Sequence, residues 1–189
     1  MAELTKHSSA LILCTRASLA AARDQWNEAL NLSRQSLSKD SSNIMAREIL
    51  IRALTECGYQ NEALKEARNL VDHNSNQETL FLLARVANAN HSSSEEIEAL
   101  SRLVNLARLN KQPLGASLAY LGQAYARKGD RGNALRSFQE SIASPELSEE
   151  EKHHLRDIMD HLMEGNASST TLPPLHPPEA SKEASSHGQ

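Results

Sequence analysis

The chain has 189 residues, enough for one domain with its own core, and its low aromatic content (3%), seven glycines and abundant Ala and Leu favour helices over strands. Its net charge of −4 sits near the C-terminus: residues 148–164 hold six acids and two bases, while residues 1–147 hold seventeen bases and sixteen acids. A body so nearly neutral has no electrostatic footprint for nucleic acid, and the two cysteines, Cys14 and Cys57, form no CxxC pair that would point to zinc or redox chemistry.

In chain order, the apolar run Leu11-Ile12-Leu13-Cys14 comes first. It is cut by Arg16 and is too short for the roughly 7–15-residue apolar stretch of a secretory leader. No segment approaches the roughly 20 apolar residues of a membrane span. The default expectation is a cytoplasmic protein. The first predicted helix, SALILCTRASLAAA (9–22), is apolar or small nearly all round. Helices of that kind are normally buried, so a partner, a second copy of the chain or the rest of a longer array is expected to cover it. Cys14 and Cys57 both fall in helical pattern and read as small buried hydrophobes.

Internal repetition follows. WNEALNLS (26–33) aligns with QNEALKEA (60–67), EIEALSRL (96–103) and RGNALRSF (131–138), around Ala29, Ala63, Ala99 and Ala134, which are 34, 36 and 35 residues apart. Periods in this range mean stacked supersecondary units. Each unit reads as two helices. In the last, Leu118, Leu121, Ala124 and Tyr125 recur at three- and four-residue steps, Gly129 stops the helix, Asp130 caps the next, and Ala134, Leu135, Phe138 and Ile142 form its apolar stripe. Equivalent breaks stand at Arg23-Asp24, Cys57-Gly58 and Asn90–Ser94, the last followed by a predicted capping box, Ser93-x-x-Glu96. Residues 148–164 form one more helix. It opens with the capping box Ser148-x-x-Glu151 and carries an apolar stripe of Leu155, Ile158, Met159 and Leu162, as a capping helix should. From 165 the chain is rich in Ser, Thr and Pro and nearly lacks large apolar residues, the composition of a disordered tail.

The unit at 115–148 carries Leu118-x2-Leu121-Gly122-x2-Tyr125, then Ala134-x3-Phe138, with Pro145 one residue early. This resembles the tetratricopeptide repeat, whose pattern is Trp-x2-Leu-Gly-x2-Tyr, Ala-x3-Phe and Pro. The units at 10–43 and 44–77 keep the period and the Ala, but place Arg16-Ala17 and Leu50-Ile51 where Leu-Gly is expected. The unit at 80–113 keeps Ala87, Ala99 and Leu103. Other helix-pair solenoids, such as the half-a-tetratricopeptide kind, share the same physics. The resemblance implies an all-α, right-handed helical-repeat solenoid of about four helix pairs plus a C-terminal capping helix, spanning 1–164, with 165–189 as tail.

It also implies a groove lined by the first helix of each unit. By position this brings in Leu11, Cys14 and Ser18; Met45, Glu48 and Arg52; Phe81, Ala84 and Asn88; and Ala116, Ala119 and Gln123. The mixture suits a peptide held by side-chain pockets. The Lys/Asn/Arg clamp that some of these proteins use for an acidic chaperone tail is absent: its positions in the first three units hold Cys14, Ser18, Ile49, Phe81 and Arg85.

Three other stretches invite chemistry and have plainer readings. Gly129-Asp-Arg-Gly132 lacks the flanking strands of a KH loop and the Lys-Ser/Thr of a P-loop, so it reads as an inter-helix turn. His153, Asp157 and His161 share one helical face, a weak metal edge on what should be a solvated surface. Leu172-Pro-Pro-Leu-His-Pro-Pro178 could adopt polyproline II, but lacks a flanking Arg. The expectation is therefore a non-catalytic adaptor or scaffold for a protein or peptide partner, with no cofactor and no metal. Two narrower readings stand beside it: a small tetratricopeptide chaperone for secreted clients, and the C-terminal portion of a larger assembly subunit.

Overall fold

The computed structural model describes residues 2–164, with side chains from His7 onward. The predicted tail and its proline-rich stretch lie outside the described residues. Those residues form nine helices and no strand: α1 (Ala2–Ala21), α2 (Trp26–Lys39), α3 (Ile44–Glu56), α4 (Gln60–His73), α5 (Gln77–Ala89), α6 (Ser93–Leu109), α7 (Gly115–Lys128), α8 (Arg131–Ile142) and α9 (Glu149–Met163). The fold is all-α and of the helical-repeat class.

The helices group into two compact units, with the division at Ser92–Ser93. In the first, each of α1 to α5 packs on the next, and the odd-numbered helices also meet, α1 against α3 and α3 against α5. In the second, α6 to α9 pack in succession. The repeat-defining alanines Ala29, Ala63, Ala99 and Ala134 are all within 1% of complete burial. A methyl at these positions lets a helix lie close on its neighbour, and anything larger would push the pair apart.

One turn recurs at the C-termini of α1, α3, α5, α6 and α7. Asp24, Gly58, His91, Lys111 and Gly129 all adopt the left-handed conformation, with φ between 54° and 82°. At each, the following N–H reaches back five residues: Gln25 to Ala20, Tyr59 to Leu54, Ser92 to Ala87, Gln112 to Ala107 and Asp130 to Tyr125. This is a Schellman turn, which satisfies carbonyls left open at the helix end. Glycine adopts it without strain at two of the five, whereas Asp24, His91 and Lys111 carry a Cβ into it.

The caps differ in how they are made. Asp130 accepts from the Asn133 N–H, and Ser148 and Glu151 form the predicted reciprocal box. The box expected at Ser93–Glu96 does not form. Helix α6 already includes Ser93, and the Glu96 side chain instead pairs with Arg127 on α7. That carboxylate is buried; burial raises its pKa, against the pull of Arg127. The N-terminus of α7 is capped from a distance. One Glu146 oxygen, in the α8–α9 connection, accepts from the N–H groups of Leu114 (2.6 Å) and Gly115 (2.7 Å). Partial burial alone would raise the Glu146 carboxyl, but the N–H groups of Gly115, Glu146 and Leu114 and the Lys152 charge outweigh it and hold it below the ordinary range.

The core of the second unit gathers Ala119, Ala134, Phe138, Leu147, Leu155, Ile158 and Leu162, so α9 covers the last helix pair with the stripe read from its sequence. Helix α1 behaves otherwise. It turns Ala10, Cys14, Ala17 and Ala20 inward, all at most 3% exposed, and leaves Leu11, Ile12 and Leu19 outside, all more than half exposed. Its small side chains let α2 lie close, and no described residue covers Ile12 or Leu19.

Candidate functional site

The surface made by α1, α3 and α5 carries most of the predicted groove residues. Leu11, Met45 and Phe81 occupy the same register, the second position of the units starting at 10, 44 and 80. Leu11 and Met45 are largely exposed and Phe81 is half-buried, which gives one apolar residue per helix at that end. One turn further along α3, Glu48 is half-buried. Burial pushes its carboxyl up, Arg52 four residues on pulls it down, and Glu78 on α5 adds to the push. Beyond it Ser18, Arg52 and Asn88 are exposed.

Four of the expected groove residues are buried. Cys14 is 1% exposed, with its thiol 3.9 Å from the side-chain oxygen of Asn43, which caps α3. Burial raises the pKa of this thiol. Cys14 therefore helps seat α1 on the start of α3. Gln123 lies on α7 in the second unit, 5% exposed, and its amide nitrogen has no hydrogen-bond partner. Ala84 and Ala119 are likewise buried, and Ala116 is half-buried.

A cavity of about 500 Å³ opens at the far end of the same surface. Trp26, the first residue of α2 and the only tryptophan of the chain, forms one wall. Arg52 and Glu56 line it from α3, and Leu82, Arg85 and Asn88 from α5. Arg52, Arg85 and Glu56 are exposed, and none of the three makes a hydrogen bond or an ion pair among the described residues. Other arginines of this unit are engaged, Arg34 with Glu62 (2.7 Å) and Arg47 with Glu66 (2.6 Å). Sequence pattern does not point to Trp26, because it opens a second helix and the groove implied by the resemblance is lined by first helices; its singularity in the composition is the one signal it carries.

The second unit holds a smaller cavity of about 200 Å³ between α6, α7 and α8, crossed by the Arg108–Glu140 ion pair and bordered by Tyr125 and Arg136. On α9, His153 Nδ1 lies 3.1 Å from Asp157 Oδ2 and His161 Nδ1 lies 2.8 Å from the Asp157 carbonyl, so one residue engages both rings along the helix. No group of three potential metal ligands converges among the described residues. Gly129–Gly132 is the Schellman turn and cap already described. No helix among the described residues is long and apolar enough to cross a membrane.

No family model matches the sequence, and no curated protein does. Solved structures do. The tetratricopeptide-like repeats of a putative kinesin light chain from Podosopora anserina superpose with a TM-score of 0.70 at 20% identity, over 85% of this chain and 88% of that one. TTC0263, a thermophilic tetratricopeptide protein of Thermus thermophilus, gives 0.59 at 18% identity, over 84% and 83%. YrrB, described as a tetratricopeptide protein with an unusual peptide-binding site, gives 0.62 at 16% identity, over 82% and 78%. The fold is that of tetratricopeptide repeats. At these identities the likeness speaks for the fold, and a ligand must be argued from this chain's own side chains.

Proposed function

We propose that the chain is a non-catalytic interaction adaptor that holds a peptide segment of another protein on the surface made by α1, α3 and α5. The observation that carries this reading is the layout of that surface. Three apolar side chains in equivalent register, Leu11, Met45 and Phe81, stand at one end, and a cavity whose two arginines make no ion pair among the described residues stands at the other. Successive side chains of a bound peptide meet different chemistry along such a surface, which is how a peptide is read.

The test is binding by the full chain. Peptides selected on it from a random library should lose at least about tenfold in affinity on Met45→Glu or Phe81→Glu, since each puts a charge where apolar contact is made. Selected peptides that bind both variants as they bind the parent would sink the reading.

A further inference from the structure

We propose that the cavity beside Trp26 seats the side-chain carboxylate of an Asp or Glu within the bound peptide, with a neighbouring large apolar side chain of that peptide against Trp26. This deepens the adaptor reading and rests on it.

Charge complementarity singles out the occupant. Two guanidinium groups, Arg52 and Arg85, border the cavity against one acid, Glu56, and neither arginine is engaged by it. A guanidinium presents a planar fork of donors that matches a carboxylate, and two forks at one opening offer more donors than a single acid of the chain uses. The apolar part of the wall is Trp26 with Leu82 and Val86, enough to receive one side chain of a ligand. The volume, about 500 Å³, suits one or two side chains rather than a folded element.

The rest of the surface sharpens the choice. One turn back along α3 from Arg52, Glu48 feels both the pull of Arg52 and the push of Glu78, so an acid of the peptide is disfavoured beside Glu48 and favoured on the Arg85 side of the cavity. Acid recognition at one end only gives the bound peptide a direction. Both arginines are exposed, so the cavity is open to solvent and a chain running across it need not terminate there. That is why the carboxylate is assigned to a side chain and not to a C-terminus.

The experiment selects random 12-residue peptides, embedded at both ends in a carrier protein, on the immobilised full chain. The expected result is enrichment of Asp or Glu next to Leu, Ile, Phe or Trp. Binding of a selected peptide should weaken about tenfold or more on Arg52→Gln or Arg85→Gln, as expected for losing hydrogen bonds to a charged group. It should weaken less on Arg85→Lys and should fall with added salt. Both arginines are exposed, so thermal melts of the variants should match the parent. Peptides that bind and are lost on Met45→Glu, but show no acidic enrichment and ignore Arg85→Gln, would overturn this proposal and leave the adaptor reading standing. Failure to select any peptide would overturn both. A selected sequence, remade as a free peptide, that binds only with an unblocked C-terminal carboxylate would overturn the side-chain assignment, and competition by inorganic phosphate at equal concentration would overturn the carboxylate.

Discussion

The first helix pair, α1–α2, and the last repeat pair, α7–α8, solve the same packing problem with different amounts of side-chain volume. Both are held by the same lateral bond: Ser36 donates to the Ala10 carbonyl at 2.8 Å, and Ser141 donates to the Gly115 carbonyl at 2.7 Å, each across 26 residues. The register is therefore conserved between the two pairs within this one chain. At the positions that face each other, however, the first pair has Ala17 with Ser33 and the last has Gly122 with Phe138, all buried. The second repeat has a third solution in the same register, Ile51 with Ala67. A close-packed interior leaves no void, so the two small side chains of the first pair call for a closer approach of the helices, while Phe138 and Ile51 fill the wider gap in the other two. In the last pair the balance is tight, since a Cβ on Gly122 would stand 2.7 Å from the Phe138 ring.

The difference can be broken by mutation. Phe138→Ala should cost about 3–5 kcal/mol, the range for a fully buried phenylalanine, whereas Ser33→Ala in the same register should cost less than about 1 kcal/mol. Denaturant unfolding monitored by circular dichroism measures both, and equal losses would refute the volume account. Next in size, Gly122→Ala should destabilise by about 1–3 kcal/mol through overpacking. The double change Gly122→Ala with Phe138→Leu should recover part of it, because the smaller side chain vacates the space the new methyl needs. A smaller and shared effect is expected at the lateral bond: Ser36→Ala and Ser141→Ala should each cost about 1 kcal/mol. A loss at only one site would show that the two bonds are not equivalent.

The smallest effect concerns the cap that Glu146 places on α7. Glu146→Gln should cost about 1 kcal/mol or less at neutral pH, since the amide oxygen still accepts but brings no charge to the helix N-terminus. The pKa of Glu146 in the folded protein lies below its ordinary 4.5. Its contribution is therefore complete above that value and is lost as pH falls through the folded-state value. Thermal melts between neutral pH and about pH 3 should show the parent's advantage over Glu146→Gln shrinking as the solution is acidified; an advantage that grew would contradict the cap.

The two ends of the described chain show what could be read in advance. On α9, polar and apolar residues fall on separate arcs, so periodicity alone picks out a stripe of Leu155, Ile158, Met159 and Leu162; Leu155, Ile158 and Leu162 are buried and Met159 is half-buried. On α1 the apolar arc runs nearly all round, and periodicity could not say which side turns inward. The side with Ala10, Cys14 and Ala17 does, and that single choice buries Cys14 and exposes Leu11. Turns divided in the same way. Gly58 and Gly129 announced themselves, while Lys111 takes the same conformation with no signal in its residue type, because the surrounding helices impose it. Glu96 had the spacing of a capping box and was drawn to Arg127, a residue 31 positions away.

By itself, the sequence determined the repeat period, the helix pairs, the buried alanines and the capping helix. All of these follow from local spacing, which an α-helix converts directly into faces and ends. Only the tertiary structure decided which partner each long-range polar group takes, how volume is shared across each helix pair, and that Trp26, Arg52 and Arg85 meet at one cavity. Those outcomes depend on distances between residues far apart in the chain, and no local periodicity encodes them.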